Sequence, residues 1–231
     1  MFTEQDERFD VIVRATRSGA YILLETESRD TTETLVIPAT DPGAAPAVLR
    51  ERRQGWSTGP ITPTARAGRV LPGHQRRGGR VPAGAVPGAG AGPPGGEDGW
   101  HEVIAGASGT RLVSCDVFGR FVVVEQRRDA ATQLRVIDRE TGEERLIEAA
   151  GPEMALALAT NEEYHTPAVT VRTESLIDPP SWHDVDLASG EWRLRKRQEV
   201  PGYDPVGYRT QRITAPAPDG TAIPVDGRLP G

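Results

Sequence analysis

Ser108 stands in Gly106-Ala107-Ser108-Gly109-Thr110, close to the G-x-S-x-G elbow that exposes a nucleophilic serine on a strand-to-helix turn. The fifth position is Thr rather than Gly, and short strand-like segments flank it on both sides. Ser108 therefore reads as a loop serine. Gly90-Ala91-Gly92-Pro93-Pro94-Gly95 satisfies G-x-G-x-x-G. No strand precedes it and no helix follows, and Pro93 and Pro94 remove the N–H groups that would hold a phosphate. The histidines are His74, His101, His165 and His183, and none pairs with another at metal-ligand spacing. They read as surface or turn residues. The single cysteine, Cys115, lies on an alternating strand and reads as a small core residue rather than a nucleophile. No catalytic, cofactor-binding or metal-ligating residue is assigned, and no cofactor is expected.

The run Arg193-Leu194-Arg195-Lys196-Arg197 is the densest positive charge in the chain. It follows Trp192 on a strand pattern, so it reads as a solvated outer face. The chain carries 33 acidic against 27 basic residues, net -6, and only 5% aromatic residues, which argues against nucleic acid as a partner. No apolar run follows the start M-F-T-E-Q-D-E-R, so neither a leader peptide nor a membrane span is expected. One cysteine excludes an internal disulfide framework and fits a reducing cytoplasm.

The elements that must position any site are strands. Phe9–Arg14, Tyr21–Glu27, Thr34–Pro38 and Ala47–Arg50 are short and joined by turn signals such as Ser18-Gly19 and Thr40-Asp41-Pro42-Gly43. Order returns at Trp100–Ile104. It continues through Leu112–Val117, Phe121–Gln126, Gln133–Asp138, Arg145–Glu148, Met154–Leu158, Ala168–Ser175, Ser181–Leu187 and Trp192–Arg197. No window sustains a 3.6-residue apolar repeat. The expected fold class is all-β, built from four-stranded antiparallel units of the kind that form propeller blades.

Residues 55–98 differ in kind. No acidic residue occurs from Gly55 to Gly96, and Gly, Pro, Ala and Arg dominate. Such a segment buries too little apolar surface to offset its ordering entropy, so it is expected to be an irregular, disordered insert.

A repeat supports the blade reading. Asp138-Arg139-Glu140-Thr141-Gly142-Glu143 and Asp186-Leu187-Ala188-Ser189-Gly190-Glu191 share D-x-x-[ST]-G-E, with the glycines 190 − 142 = 48 residues apart. Known propeller repeats recur at about 40–50 residues. Two unrelated hairpins of similar turn chemistry explain the motif equally well at this stage.

Several stretches carry a resemblance. They are Asp6-Glu7-Arg8-Phe9, the run Asp116–Arg127, and Glu199-Val200-Pro201-Gly202-Tyr203-Asp204-Pro205. Tyr208-Arg209, Asp219-Gly220-Thr221 and Ile223-Pro224-Val225 extend the last of them. Together they resemble the oligopeptidase B branch of the prolyl oligopeptidase family of serine peptidases, over about residues 5–54 and 99–225. The resemblance implies a seven-bladed propeller that caps an α/β-hydrolase domain and limits access to short peptides, cleaved after Arg or Lys. It also implies a Ser, Asp and His triad in the hydrolase domain. No residue here matches that triad, because the corresponding domain is expected beyond residue 231.

The expected organisation is therefore propeller strands at 1–54, a frame-shifted, disordered segment at 55–98, propeller blades at 99–210, and the start of a linker into an absent hydrolase domain at 211–231. Shifted reading frames permit family-like strings over Val70–Val86, Trp56–Thr62 and Val225–Gly231, which is the basis for the frame-shift reading. The chain is expected to be a partial propeller of about four blades' worth, inactive as a peptidase by itself and cytoplasmic. Its expected partners are short peptides in the intact enzyme, with no nucleic acid and no membrane. A free-standing β-rich binding module with a flexible segment is the alternative.

Overall fold

The computed structural model describes residues 2–29, 31–50, 52, 109–151 and 153–231. It also describes the backbone of short strands at 56–58, 62–63, 70–71, 74–76, 85–87 and 100–102. The expected disordered segment at 55–98 falls mostly outside the described residues, as do Ser108 and Gly90–Gly95. Two compact units divide the chain, Met1–Val122 with Glu163–His165 and Val123–Glu162 with Thr166–Gly231.

The first sheet is an antiparallel meander of β1 (Asp10–Ala15), β2 (Tyr21–Glu27), β3 (Thr32–Pro38) and β4 (Ala47–Arg50), in that order. Successive side chains on a strand point to opposite faces, so a strand buried on both faces reads as a continuous apolar run. The β2 residues Ile22-Leu23-Leu24 do this. Leu23 packs with Val36 and Leu49 in one cluster, and Leu24 packs with Leu35 and Ile37 in the other. Burying each such side chain contributes about 1.5–3 kcal/mol. Glu25 follows on β2 and is buried against this trend, facing the Arg14 guanidinium of β1.

The D-E-R-F stretch has a structural cause of its own. Phe9 N donates to Asp6 O (3.0 Å), closing a turn. The Arg8 guanidinium forks onto the Asp6 carboxylate, with Nη2 to Oδ2 at 2.7 Å and Nε to Oδ1 at 3.0 Å. Those bonds, with the Arg8 amide, hold the Asp6 carboxyl down at about 2. The Arg52 guanidinium sits 3.7 Å from the Phe9 ring centroid and binds Glu4 (2.5 Å). These contacts tie residues 4–9 to the meander.

Six short strands come next: β5 (Trp56–Thr58), β6 (Thr62–Pro63), β7 (Val70–Leu71), β8 (His74–Arg76), β9 (Ala85–Pro87) and β10 (Trp100–Glu102). They pair antiparallel as β5 with β8, β6 with β7, and β9 with β10.

The second four-stranded sheet is ordered β11 (Thr110–Val117), β12 (Phe121–Arg128), β13 (Ala131–Asp138), β14 (Glu144–Glu148). The third is ordered β15 (Ala155–Leu158), β16 (Ala168–Glu174), β17 (Ser181–Asp186), β18 (Trp192–Arg197). Among the described residues the chain thus forms three four-stranded antiparallel meanders and no α-helix, in line with the expected all-β partial propeller. The two D-x-x-[ST]-G-E copies form the β13–β14 and β17–β18 turns. They occupy equivalent places in successive sheets, which two unrelated hairpins would not require. Asp138 N donates to Glu143 O and Asp186 N to Glu191 O, both at 2.9 Å. Gly142 and Gly190 donate to their Asp carbonyls at 2.8 Å, each with φ +77°.

After β18 the chain turns at Pro201-Gly202, passes a 3-10 turn at Pro205–Gly207, and enters the hairpin of β19 (Tyr208–Pro216) and β20 (Ala222–Pro230). Each strand runs nine residues, through the stretch expected to begin a linker at 211–231. Asp226–Pro230 continue the pairing, with Tyr208 opposite Pro230. Register puts Ile213, Ala215, Ile223, Val225 and Leu229 on one face. Thr210, Arg212 and Asp226 lie on the other, where Arg212 grips Asp226 through two bonds of 2.6 and 2.8 Å.

Candidate functional site

In the third sheet the face that buries Val169, Val171 and Val185 changes character along its length. Register pairs Val169 with Val185, Val171 with His183, and Thr173 with Ser181. Because strand positions alternate, these six side chains share one face. The valines fill one end. At the other end the sequence supplies Thr, Ser and His, which cannot pack as densely with apolar neighbours, and a cavity of about 370 Å³ opens.

β17 contributes Ser181 and His183 to the cavity, and β18 contributes Trp192 and Arg197. The register of β17 against β18 sets Arg197 opposite Ser181 and Trp192 opposite Val185, with an irregularity between Trp182 and His183. Glu148 closes the wall from the end of β14, Met154 from the segment joining the second and third sheets, and Asp178 from the β16–β17 loop. That loop is held by Ser175, whose Oγ donates to Asp178 Oδ2 (2.8 Å) and accepts from Asp178 N (2.9 Å). Tyr203 adds a bond from its hydroxyl to Ile177 O (2.7 Å).

The cavity's charges are arranged in opposition. Arg193 and Arg195 both approach Asp184 on the outer face, at 3.1 and 3.5 Å. Arg197 instead donates Nε to Ser181 Oγ (3.3 Å) and, among the described residues, meets no carboxylate in an ion pair. Glu148 accepts from Gln133 Nε2 through Oε1. His183 lies edge-on to Trp192, with centroids 5.4 Å apart. Its Nδ1 is buried with no hydrogen-bond partner. Burial first, then the Arg197 charge, hold the imidazole below its usual range, so it is neutral near pH 7.

Ser181 and His183 share a face without forming a nucleophile and base pair. The Ser181 hydroxyl donates to Pro179 O (3.2 Å) and accepts from Arg197. A serine whose proton is given to a carbonyl and whose oxygen faces a guanidinium is a positioned binding group rather than an activated nucleophile.

The residues considered from sequence fare differently. His165 is exposed on a bend beside Gly119, as expected of a surface histidine. His183 is not a surface or turn residue. It sits inside β17, partly buried in the cavity wall, because its neighbours at period two are Ser181 and the core residue Val185. His74 and His101 lie on the backbone of β8 and β10. Cys115 is partly buried on β11, and desolvation, then the Asp116 charge, push its thiol up to about 12. The Arg193–Arg197 run lies on the exposed β18, but Leu194 is exposed along with the basic residues and Arg197 lines the cavity, so the run is not a uniform outer face. The cavity residues were not grouped by the sequence reading. The one available signal was Ser181-x-His183-x-Val185, polar residues in phase with a core position.

Comparison with known proteins places this architecture. Residues 94–198 match the prolyl oligopeptidase N-terminal beta-propeller domain. Over those residues the chain is similar to that propeller domain. A dipeptidyl aminopeptidase BI from Pseudoxanthomonas mexicana is 33% identical over 127 residues, which is 54% of this chain and 17% of the aminopeptidase. The structure of oligopeptidase B from Leishmania major superposes with a TM-score of 0.81 at 21% identity, covering 97% of this chain and 32% of that one. Oligopeptidase B from Trypanosoma brucei, solved in a closed form with covalently bound antipain, gives 0.80 at 20% identity over the same shares. At these identities the structural likeness is one of fold. The chain spans about a third of the length of the oligopeptidase structures it matches. The cavity-lining residues all fall inside the matched propeller stretch.

Proposed function

We propose that this chain is the substrate-gating propeller portion of a serine oligopeptidase of the oligopeptidase B type, acting on short peptides after Arg or Lys in the cytoplasm. The observation that carries the reading is the match of residues 94–198 to the family's N-terminal propeller. The three four-stranded meanders and their recurring D-x-x-[ST]-G-E turn support it. In an enzyme of that type the propeller limits access to short peptides, while a separate hydrolase domain carries the nucleophile, base and orienting acid. The chain by itself therefore binds or admits peptides without cleaving them, and short peptides are its partners.

The purified chain is to be incubated with a fluorogenic Arg-containing peptide. No turnover above buffer is expected. Turnover that a serine-directed phosphonate abolishes overturns the reading of this chain as a gating portion without catalysis of its own.

A further inference from the structure

We propose that the cavity walled by β17, β18 and Glu148 is a binding site for a small zwitterion of amino-acid or dipeptide size, with Arg197 taking the carboxylate and Asp178 and Glu148 the ammonium. The inference rests on the cavity alone and not on the oligopeptidase reading.

Charge decides the ligand class. Arg197 lies on the wall with no carboxylate partner among the described residues, while its neighbours Arg193 and Arg195 share Asp184. A guanidinium is built for two parallel bonds to a carboxylate, and its Nε is already oriented by Ser181. A simple carboxylic acid would meet Glu148 and Asp178 in the same cavity, and a simple amine would meet Arg197. A zwitterion satisfies both poles. Glu148 and Asp178 each commit one carboxylate oxygen, to Gln133 and Ser175 respectively, and so are held in place with the other oxygen to offer.

Shape and polarity agree with this. A volume of about 370 Å³ lies near the lower end of small-molecule sites, which run about 300–1,000 Å³. Trp192 and Met154 give an apolar surface for a side chain. The buried, unpartnered His183 Nδ1 supplies a further polar contact, for a ligand amide or carboxylate oxygen to fill.

The test is calorimetric titration of the intact chain with L-phenylalanine and with alanyl-phenylalanine. N-acetyl-phenylalanine removes the ammonium and phenylalanine amide removes the carboxylate. Saturable binding of at least one zwitterion is expected, about tenfold or more weaker for each capped form, since a charged hydrogen bond is lost in each. The tighter of the two zwitterions gives the ligand size. Arg197→Gln is expected to weaken the carboxylate-bearing ligands about tenfold and leave the amide unchanged, and Asp178→Asn to do the reverse. The capped series on the unaltered chain decides the matter even where a variant does not fold. Absence of saturable binding, or capped forms that bind as well as the zwitterions, overturns the proposal.

Discussion

The Arg145 guanidinium of β14 donates to the carbonyl of Ala188, inside the β17–β18 turn, at 2.8 Å. One copy of the recurring turn thus receives an arginine from the strand that follows the other copy. The bond lies against Gly190, where an added Cβ would sit 3.1 Å from Arg145 Cδ. At Gly142 the same addition would meet nothing within 4 Å.

The two glycines therefore separate two costs. Both have φ +77°, so Gly142→Ala is expected to lose about 1–2 kcal/mol from left-handed backbone strain alone. Gly190→Ala is expected to lose more, because Arg145 must also give way. Denaturant melts of the two variants, each with and without Arg145→Ala, measure this. The excess at Gly190 should shrink when Arg145 is removed, and equal losses at both sites in both backgrounds would exclude the steric part.

The β12–β13 connection is made by Asp129 and Ala130, with φ of 50° and 61°. Both central residues of a I′ turn need positive φ, which favours Asp-Gly. Ala130→Gly creates that dipeptide and is expected to stabilise by about 0.5–1 kcal/mol, the strain relieved less the extra freedom of an unfolded glycine. A shift of the urea midpoint to higher concentration checks it. A shift to lower concentration contradicts it.

Glu25 is expected to limit stability at neutral pH. Burial raises its carboxyl above the usual range, against the opposing pull of Arg14. A folded-state value above the unfolded one means the folded chain holds the proton more tightly. The stability so gained is fully present below the unfolded value and is lost as pH rises through the folded one. Glu25→Gln is therefore expected to raise Tm at pH 7 and to leave it nearly unchanged at pH 4. An equal difference at both pH values would assign the effect to packing instead.

Cys115 is expected to resist alkylation. With its thiol pushed up to about 12, almost none is thiolate at pH 8. Iodoacetamide labelling followed by intact mass should proceed at the rate of local opening and rise sharply in denaturant. Rapid stoichiometric labelling of the folded chain would contradict this environment.

Much of the sheet order was legible because it rests on local chemistry. Trp192–Arg197 matches the reading residue for residue, and Tyr21–Glu27 does too, since alternation or apolar continuity ends at clear turn residues. The starts of β3 and β13 were read two residues late. Thr32, Glu33, Ala131 and Thr132 look like loop composition, yet cross-strand pairing extends over them, as with Thr32 opposite Glu27. The cavity was not legible. Glu148, Met154, Asp178, His183 and Arg197 are spread over three strands and two connections, and only the fold brings them to one cavity. His183 was read with the other histidines as a surface or turn residue. Its true neighbours are the residues two positions away and those on the facing strands.

The twin turns also bear on how such a chain changes over generations. In each, an Asp carboxylate accepts the amides two and three residues on, so the junctions are chemically interchangeable. A recombination crossover between their coding segments would add or remove 190 − 142 = 48 residues, one strand set in phase, with the turn bonds intact on both sides. Copy number of the sheet is then a quantity that a single genetic event can alter without inventing a new junction.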